Sequence, residues 1–257
     1  MDRIRGSLRL LYRVPWLLLH IVVGTPFAVF FQYAGRALTV RGRRFSEVTL
    51  VWWSAMMCRI FGLERSVRGT LADGPLLVAA NHIAWIDVPL LLSLGSMGFV
   101  AKAEISGWPI VGWIARVGES VFHQRGSHDS ASGVQAAMIE RLLSGGRVVV
   151  FPEGGILPGA GIKRFHARLL GPAIETGTGV QPVMVRYSRQ GSVYEDITFR
   201  PGEHFLANFL RLLVQPRCLA EIHLLPVLGA AGRQRRQLAA EAEAAVRAAF
   251  ESVLPRG

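Results

Sequence analysis

One short run of residues in this chain has the side chains needed to move a proton. Asn81-His82-Ile83-Ala84-Trp85-Ile86-Asp87 places a histidine and an aspartate five positions apart. Residues at that spacing lie about 140° apart around a regular helix, so the two side chains meet only if His82 precedes a helix and Asp87 begins it. A helix N-terminus favours a neutral imidazole and a charged carboxylate. The pair is therefore a candidate general base for a hydroxyl nucleophile.

A second polar cluster follows another apolar run. Phe151-Pro152-Glu153-Gly154-Gly155 comes directly after the β-rich residues Arg147–Val150. Proline and two glycines at the carboxyl end of a strand predict a tight turn with exposed N–H groups beside a carboxylate. Such a turn suits polar groups of a substrate, although an ordinary loop has the same composition.

The elements that must position these clusters alternate between strand and helix patterns after Arg68. This alternation predicts an α/β fold, a mixed sheet flanked by helices, with ligands at the carboxyl ends of strands. The predicted strands are Pro75–Ala80, Gly98–Ala103, Ser120–His123, Arg147–Phe151, Gln181–Tyr187, Val193–Phe199 and Leu219–Leu225. The predicted helices are Trp85–Leu94, Trp108–Val117, Ala131–Ser144, Phe165–Thr176, an apolar His204–Val214 that suits either a membrane or the core, and a solvated capping helix over Arg233–Val253.

The N-terminal region suggests a membrane. Val14–Gly35 contains no charged residue and is long enough to span a bilayer. Gly24–Pro26 predicts a break into two shorter helices, which favours a membrane-embedding hairpin over a single span. Val48–Leu63 is predicted to be an interfacial helix, and the alternative is that both apolar blocks pack on the core.

The charges around this region predict its location. Four arginines lie on each side of Val14–Gly35, so the positive-inside rule gives no direction, as expected if both ends stay at an anionic cytoplasmic leaflet. We therefore predict the cytoplasmic face of the cell (inner) membrane, with monotopic or single-span attachment. The arginines are Arg3, Arg5, Arg9 and Arg13 before the segment and Arg36, Arg41, Arg43 and Arg44 after it.

Composition agrees with a membrane partner. The chain has 257 residues, of which 51% are hydrophobic and 18% charged, against roughly 25% charged in soluble domains. The net charge of +11 suits anionic lipid. It would also suit nucleic acid, but the basic residues flank apolar segments and no nucleic-acid motif is present, so we expect no nucleic-acid partner. Cys58 and Cys218 lack metal-ligand spacing, and no metal site is expected.

Three regions are predicted. Residues 1–64 form membrane-associated helices, residues 65–228 form the catalytic α/β domain, and residues 229–257 contribute a C-terminal helix.

Four ordered motifs across roughly residues 75–190 resemble those of the glycerolipid acyltransferase family, typified by 1-acyl-glycerol-3-phosphate acyltransferases. The first family motif, N-H-x4-D, and the third, F-P-E-G, are both complete. The matching residues are Asn81, His82 and Asp87 in the first motif, Gly118, Val121, Phe122 and Arg125 in the second, Phe151, Pro152, Glu153 and Gly154 in the third, and Val180, Gln181, Pro182 and Val183 in the fourth.

The resemblance implies direct acyl transfer. His82 would take the proton of a lysolipid hydroxyl, which attacks the thioester of acyl-CoA or acyl carrier protein, while Asp87 holds the imidazole. No acyl-enzyme and no bound cofactor is implied, and the chain has no G-x-S-x-G motif. The residues expected to bind substrate are Asn81, Lys102, Arg125, Glu153, Gly154, Gly155, Lys163 and Arg164.

Two departures from the family bear on the acceptor. Ala84 replaces the usual serine or threonine, and Gly155-Ile156 replaces the usual Thr-Arg after the third motif. Loss of that arginine weakens the case for a phosphate monoester, although Lys163 and Arg164 lie close downstream. The leading acceptor is 1-acyl-glycerol-3-phosphate, and lyso-ornithine lipid or another lysophospholipid is the alternative. A catalytically silent lipid-binding protein and a hydrolase in which the same base activates water are the competing classes.

Overall fold

The computed structural model describes residues 2–35, 38–40, 42–102, 121–123, 128–156 and 161–253. A mixed sheet lies between two helical layers. The strands are β1 (Thr39–Val40), β2 (Arg43–Arg44), β3 (Leu63–Arg68), β4 (Leu76–Ala80), β5 (Gly98–Lys102), β6 (Val121–His123), β7 (Arg147–Val150), β8 (Val180–Arg189), β9 (Ser192–Val193) and β10 (Cys218–Leu224). The helices are α1 (Asp2–Leu19), α2 (Thr25–Ala34), α3 (Phe45–Ile60), α4 (Asp87–Leu92), α5 (His128–Leu143), α6 (Gly171–Thr176), α7 (Phe205–Val214) and α8 (Arg235–Ser252).

The sheet topology confirms the predicted α/β class. The strand order is β3-β10-β8-β4-β7-β5-β6, with β9 paired to β8 and a separate β1-β2 ribbon. Strands β8, β4, β7, β5 and β6 run parallel, whereas β10 is antiparallel to β8 and parallel to β3. The carboxyl ends of β4, β7 and β8 therefore meet at one edge of the sheet, where both polar clusters begin.

Strand β4 shows why the sheet is covered on both faces. Its sequence LLVAA is buried at every position, as expected for a central parallel strand. Leu76 and Val78 pack with α1 to α4 and α7, while Leu77 and Ala79 pack with α5 and α8. The alternation follows from the two-residue period of a strand.

The N-terminal break expected at Gly24–Pro26 is absent. The backbone stays helical through this point, because His20–Gly24 adopts a π-helix and Pro26 lies in the first turn of α2, where its missing N–H costs little. Ile4–Ala34 is thus one helical segment, long and apolar enough by length and composition to cross a membrane. The hairpin forms later, where α2 packs against α3.

Helix α3, predicted to be an amphipathic or interfacial helix, packs on the core, which was the alternative expectation for this block. Leu50, Trp53, Met57 and Cys58 are buried, and α3 packs on α4 and β3 as well as on α2. Exposed apolar side chains concentrate instead on α1 and α2. They include Ile4, Leu8, Leu11, Tyr12, Trp16, Leu18, Leu19, Val22, Val23, Phe27, Phe30 and Tyr33.

Several other strands and helices differ from those predicted from the sequence. Strand β3 was not expected from the sequence, because half of its residues (LERSVR) are charged. Most of them are exposed, as suits a strand at the edge of the sheet. The predicted strand Val193–Phe199 is mostly wrong: only Ser192–Val193 pairs, and Glu195–Ile197 forms a 3₁₀ turn. Phe165–Thr176 divides into a 3₁₀ turn and α6. The predicted helix Trp108–Val117 lies outside the described residues.

Helix α7 settles a question that the sequence left open, whereas α8 departs from the solvated capping helix that was predicted, because one of its faces is buried. Helix α7 is amphipathic, with Leu212 and Leu213 buried and Leu206 and Leu210 exposed. It therefore contributes to the core and also presents an apolar surface. Helix α8 packs on β8 and buries the side chains Leu238, Ala239, Ala242, Val246 and Phe250.

A buried arginine joins the N-terminal helix to the rest of the molecule. Arg13 is 2% exposed, and its Nη1 donates to the carbonyl oxygens of Leu213 at 3.0 Å and Gln215 at 2.8 Å. Carbonyls at a helix C-terminus lack partners within the helix, and a cation there complements the helix dipole. Arg13 thus fixes α1 to the end of α7.

We predict that Arg13→Met destabilises the protein. The substitution keeps an apolar side chain but removes the donor from buried carbonyls, at a cost of about 2–3 kcal/mol. The melting temperature in detergent should fall by roughly 5–10 °C. Arg5→Met is the matched control, because Arg5 is exposed on the same helix. Equal melting temperatures for the two variants would contradict this role of Arg13.

Candidate active site

The structure brings His82 and Asp87 together at the carboxyl edge of the sheet. His82 lies in the loop after β4, and Asp87 is the first residue of α4. The His82 Nδ1 atom is 2.8 Å from Asp87 Oδ2. Asp87 is fully buried, while the His82 side chain is 14% exposed. The histidine therefore keeps access to the solvent side, with its carboxylate partner behind it.

The partners of Asp87 define the tautomer of His82. Asp87 Oδ2 accepts the backbone N–H groups of Ile83 at 2.7 Å and Ala84 at 3.0 Å, and Oδ1 accepts the Tyr187 hydroxyl at 2.6 Å. Because every partner is a donor, the carboxylate offers no proton to the imidazole. Nδ1 of His82 must donate to Asp87, so the Nε2 lone pair is free to accept a proton.

Phe151 fixes the plane of the imidazole. The two rings are stacked with centroids 3.8 Å apart and an interplanar angle of 11°. The ring of His82 is thus held from one side by Asp87 and on one face by the first residue of the F-P-E-G turn.

Asn81 and Glu153, both expected to bind substrate, line the cavity beside His82 and also make hydrogen bonds within the protein. The amide of Asn81 donates to the Val185 carbonyl at 2.9 Å and accepts the Val185 N–H at 2.7 Å. This exchange ties the end of β4 to β8. Both amide atoms have partners within the protein, so Asn81 holds the sheet edge together.

The carboxylate of Glu153 joins two loops. Its Oε2 accepts the N–H of His82 at 2.8 Å, and its Oε1 accepts the N–H of Lys163 at 2.8 Å. Burial raises the pKa of Glu153, and these two hydrogen bonds oppose the rise. The side chain of Glu153 therefore fixes the backbone of His82 relative to the loop that carries Lys163.

Gly154 allows the turn that places Glu153. Its φ of 81° lies in the left-handed region, and an added Cβ would lie 3.3 Å from the ring of His166. The N–H of Gly154 donates to the Phe151 carbonyl at 3.2 Å. Gly155 follows it in the same turn, so both glycines have a conformational role in the described structure.

A cavity lies beside His82 and carries charges of both signs. Its charged lining residues include two cations and two carboxylates, namely Lys163, Arg186, Glu153 and Glu195. Arg186 is 3% exposed and pairs with Glu221 at 2.9 Å. The cavity therefore presents a balanced set of charges rather than a purely cationic one.

The other predicted basic residues lie elsewhere or are not described. Arg164 is exposed. Burial alone would raise the pKa of Glu243 on α8, but hydrogen bonds from Phe165 and Arg247 lower it, and the charge of Arg164 adds to this effect. The backbone of Lys102 ends β5, and its side chain is outside the described set. Arg125 also lies outside the described residues.

Tyr187, Arg186 and Glu195 were not singled out from the sequence. The first two lie in β8, directly after the fourth motif, on opposite faces of the strand. Because side chains alternate between the two faces of a strand, Tyr187 is expected on the same face as Val183, which is the face toward Asp87. Nothing in the residue types, however, predicted the hydrogen bond between Tyr187 and Asp87. Within the described residues, no group of three or more His, Cys, Asp or Glu side chains is placed to hold a metal ion.

Comparisons with known proteins agree with this geometry. The model of the family described as Acyltransferase matches residues 57–186. The lyso-ornithine lipid O-acyltransferase of Pseudomonas aeruginosa is 34% identical over 245 residues, 95% of each chain. The 1-acyl-sn-glycerol-3-phosphate acyltransferase of Neisseria gonorrhoeae is 36% identical over 111 residues, 43% of this chain and 44% of that one.

One solved structure shares the whole fold. The 1-acyl-sn-glycerophosphate acyltransferase PlsC from Thermotoga maritima superposes with a TM-score of 0.78 and 23% identity, and the match covers 100% of this chain and 99% of that one. The family model and the relative matched over 95% of its length identify the chain as a lipid acyltransferase. The chain belongs to the acyltransferase family and is an O-acyltransferase of the 1-acylglycerol-3-phosphate type. A lysolipid acceptor and an acyl donor are its substrates.

We predict that Glu153→Gln lowers kcat roughly 10- to 100-fold, because an amide N–H must then face one of two buried backbone N–H groups. The wild-type rate should also fall on the acidic side, since a carboxyl with a raised pKa loses its charge at a higher pH than an exposed glutamate. Rates of acyl transfer measured against pH test both statements. Glu175→Gln, at an exposed position on α6, is the control; a Glu153→Gln rate equal to that of the control would contradict the prediction.

Proposed function

We propose that this protein transfers a fatty acyl group from an acyl thioester to the hydroxyl of a lyso-ornithine lipid. The main support is the mixed charge of the cavity beside His82, where Lys163 and Arg186 lie with Glu195. An ornithine headgroup carries both an amine and a carboxylate, so it matches charges of both signs. The names of the relatives with the longest matches agree with this acceptor, as does the absence of the usual arginine after Gly155.

The proposed chemistry needs one base. His82 Nε2 removes the proton of the acceptor hydroxyl as the oxygen attacks the thioester carbonyl, and Asp87 stabilises the imidazolium that forms. Collapse of the tetrahedral intermediate breaks the carbon–sulfur bond, and the imidazolium returns its proton to the leaving thiolate. The products are an ester and a free thiol, with no covalent enzyme intermediate. Acyl-CoA and acyl carrier protein are both chemically suitable donors.

The second candidate acceptor is 1-acyl-glycerol-3-phosphate. Lys163 and Arg186 are two cations on the cavity, and a phosphate monoester would pair with them. The relative from Neisseria gonorrhoeae has this activity in its name, but its match covers less than half of either chain.

We further propose that the exposed apolar face of α1 and α2 enters the cytoplasmic leaflet. Twelve large apolar side chains of Ile4–Tyr33 lie at the surface, an apolar area that water does not favour. Basic residues flank the segment on both sides and suit anionic headgroups. Leu206 and Leu210 extend an exposed apolar surface to α7, which α1 contacts.

The first test compares membranes that contain the wild type or His82→Ala. Labelled acyl-CoA and acyl carrier protein are supplied with lyso-ornithine lipid, 1-acyl-glycerol-3-phosphate or no acceptor. We expect transfer to lyso-ornithine lipid that falls about 10²- to 10⁴-fold in the variant, as for loss of a general base. His204→Ala is the control, because His204 caps α7 away from the cavity.

Each other outcome of this experiment is informative. Transfer only to 1-acyl-glycerol-3-phosphate would replace the proposed acceptor by the second candidate. Release of free fatty acid without an acceptor would indicate a hydrolase. Unchanged activity in His82→Ala would remove His82 as the base.

A second test concerns acceptor choice. Glu195→Lys replaces one of the two carboxylates that line the cavity, Glu153 being the other, by a cation, so it should disfavour the ornithine amine and favour a phosphate. We expect the ratio of kcat/KM for lyso-ornithine lipid to that for 1-acyl-glycerol-3-phosphate to fall about tenfold. Glu175→Lys makes the same charge change on α6, outside the cavity. The same ratio in both variants would show that Glu195 does not contact the headgroup.

A further inference from the structure

We infer that Tyr187 is a positioning residue for acyl transfer, acting through Asp87 on the catalytic histidine. The inference rests on the proposed role of His82 as base. Tyr187 lies 100 residues after Asp87 in the chain, outside both polar clusters recognised in the sequence.

The two oxygens of the Asp87 carboxylate have different donors. Oδ2 receives three donors, namely Nδ1 of His82 and the N–H groups of Ile83 and Ala84. Oδ1 receives the Tyr187 hydroxyl at 2.6 Å, its one donor among the described residues. Asp87 and Tyr187 are 0% and 1% exposed, so water has little access to Oδ1. Without the hydroxyl, a buried carboxylate oxygen would have no donor.

Backbone hydrogen bonds hold Tyr187 in a fixed position. In β8, Tyr187 is opposite Ala220 of β10. On the other side of the strand its carbonyl accepts the N–H of Tyr194 at 2.9 Å, beyond the point where the pairing with β4 ends at Val183. The backbone that carries the hydroxyl is therefore held on both sides. It fixes the rotation of the Asp87 carboxylate so that Oδ2 faces the imidazole.

The charge of Asp87 and the acidity of the Tyr187 hydroxyl affect each other. Burial, followed by the charge of Asp87 and the hydrogen bond to it, raises the pKa of Tyr187 well above its ordinary value. The phenol thus remains a proton donor throughout the range in which the enzyme would be assayed. By sharing its proton with Oδ1, it draws negative charge away from the oxygen that faces His82.

The thiols of Cys58 in α3 and Cys218 in β10 lie near this pair, and burial raises the pKa of each to about 12, above the range of the assay. Arg65 of β3 acts on Cys58 as a fixed positive charge. Glu153 accepts the N–H of His82 and has a raised pKa, so it also contributes to the acid limb. Because variants at Tyr187 and at a control position both keep Glu153, a difference between their acid limbs reports on the histidine–aspartate unit.

The test is the pH profile of acyl transfer by Tyr187→Phe. Loss of the hydroxyl leaves more negative charge on Asp87 and stabilises the protonated imidazole, so the acid limb should move to higher pH by about half a unit. Loss of orientation should lower kcat about tenfold, with KM for donor and acceptor little changed. A purely structural role would reduce the amount of active enzyme without moving the acid limb.

Tyr194→Phe is the matched control. Tyr194 is also buried and faces the same cavity, but its hydroxyl has no hydrogen-bond partner among the described residues. Its removal should leave the acid limb in place. A shift of equal size in both variants would overturn the inference.

A conservative replacement covers the case in which Tyr187→Phe does not fold. 3-Fluorotyrosine at position 187 keeps the shape of the side chain but makes the phenol a stronger donor, so the acid limb should move to lower pH. An unmoved limb would overturn the inference. If instead His82→Ala retains full activity, the role of His82 as base fails, and the two failures can be told apart.

Discussion

The complete burial of the Asp87 carboxylate is the constraint on which the rest of the site depends. A charge removed from water is tolerated only when donors replace its hydration, and here four donors do so. Two come from the turn that starts α4, one from His82 and one from β8. The loop after β4, the helix and the central sheet must therefore be correctly placed together before the carboxylate can be buried. Satisfying this one group assembles the catalytic pair.

Around that carboxylate, polar groups that resemble substrate ligands are used to join backbone segments. Asn81 connects β4 to β8, and Glu153 connects the His82 loop to Lys163. Each contact fixes the backbone close to His82, so the proposed base is held in place within the protein itself. Asn81 and Glu153 also line the cavity beside His82, and the charges of both signs in this cavity are the basis for the proposed zwitterionic acceptor.

The N-terminal helices are joined to the catalytic fold and not merely attached to it. Arg13 donates to carbonyls at the C-terminus of α7, and Nε2 of His20 donates to the Trp53 carbonyl. Helix α3 packs on α4, the helix that Asp87 begins. A contiguous set of contacts thus runs from the exposed apolar face to the helix that Asp87 begins. If this face enters a membrane as proposed, the packing holds it in a fixed relation to His82.

The sequence by itself determined the α/β class, the turn-and-helix placement of His82 and Asp87 and the family, because these depend on local patterns such as strand period, helix N-terminus and motif spacing. Only the tertiary structure revealed that the Tyr187 hydroxyl donates to Asp87 and that α3 packs on the core. It also revealed that Glu153 and Asn81 form hydrogen bonds with backbone groups. It also showed a continuous helix where Gly24 and Pro26 predicted a break, and a 3₁₀ turn where a strand was expected. The physical reason is distance along the chain: Tyr187 meets Asp87 across 100 residues. Sequence periodicity assigns a face to a side chain but does not name the partner that the folded chain brings to it.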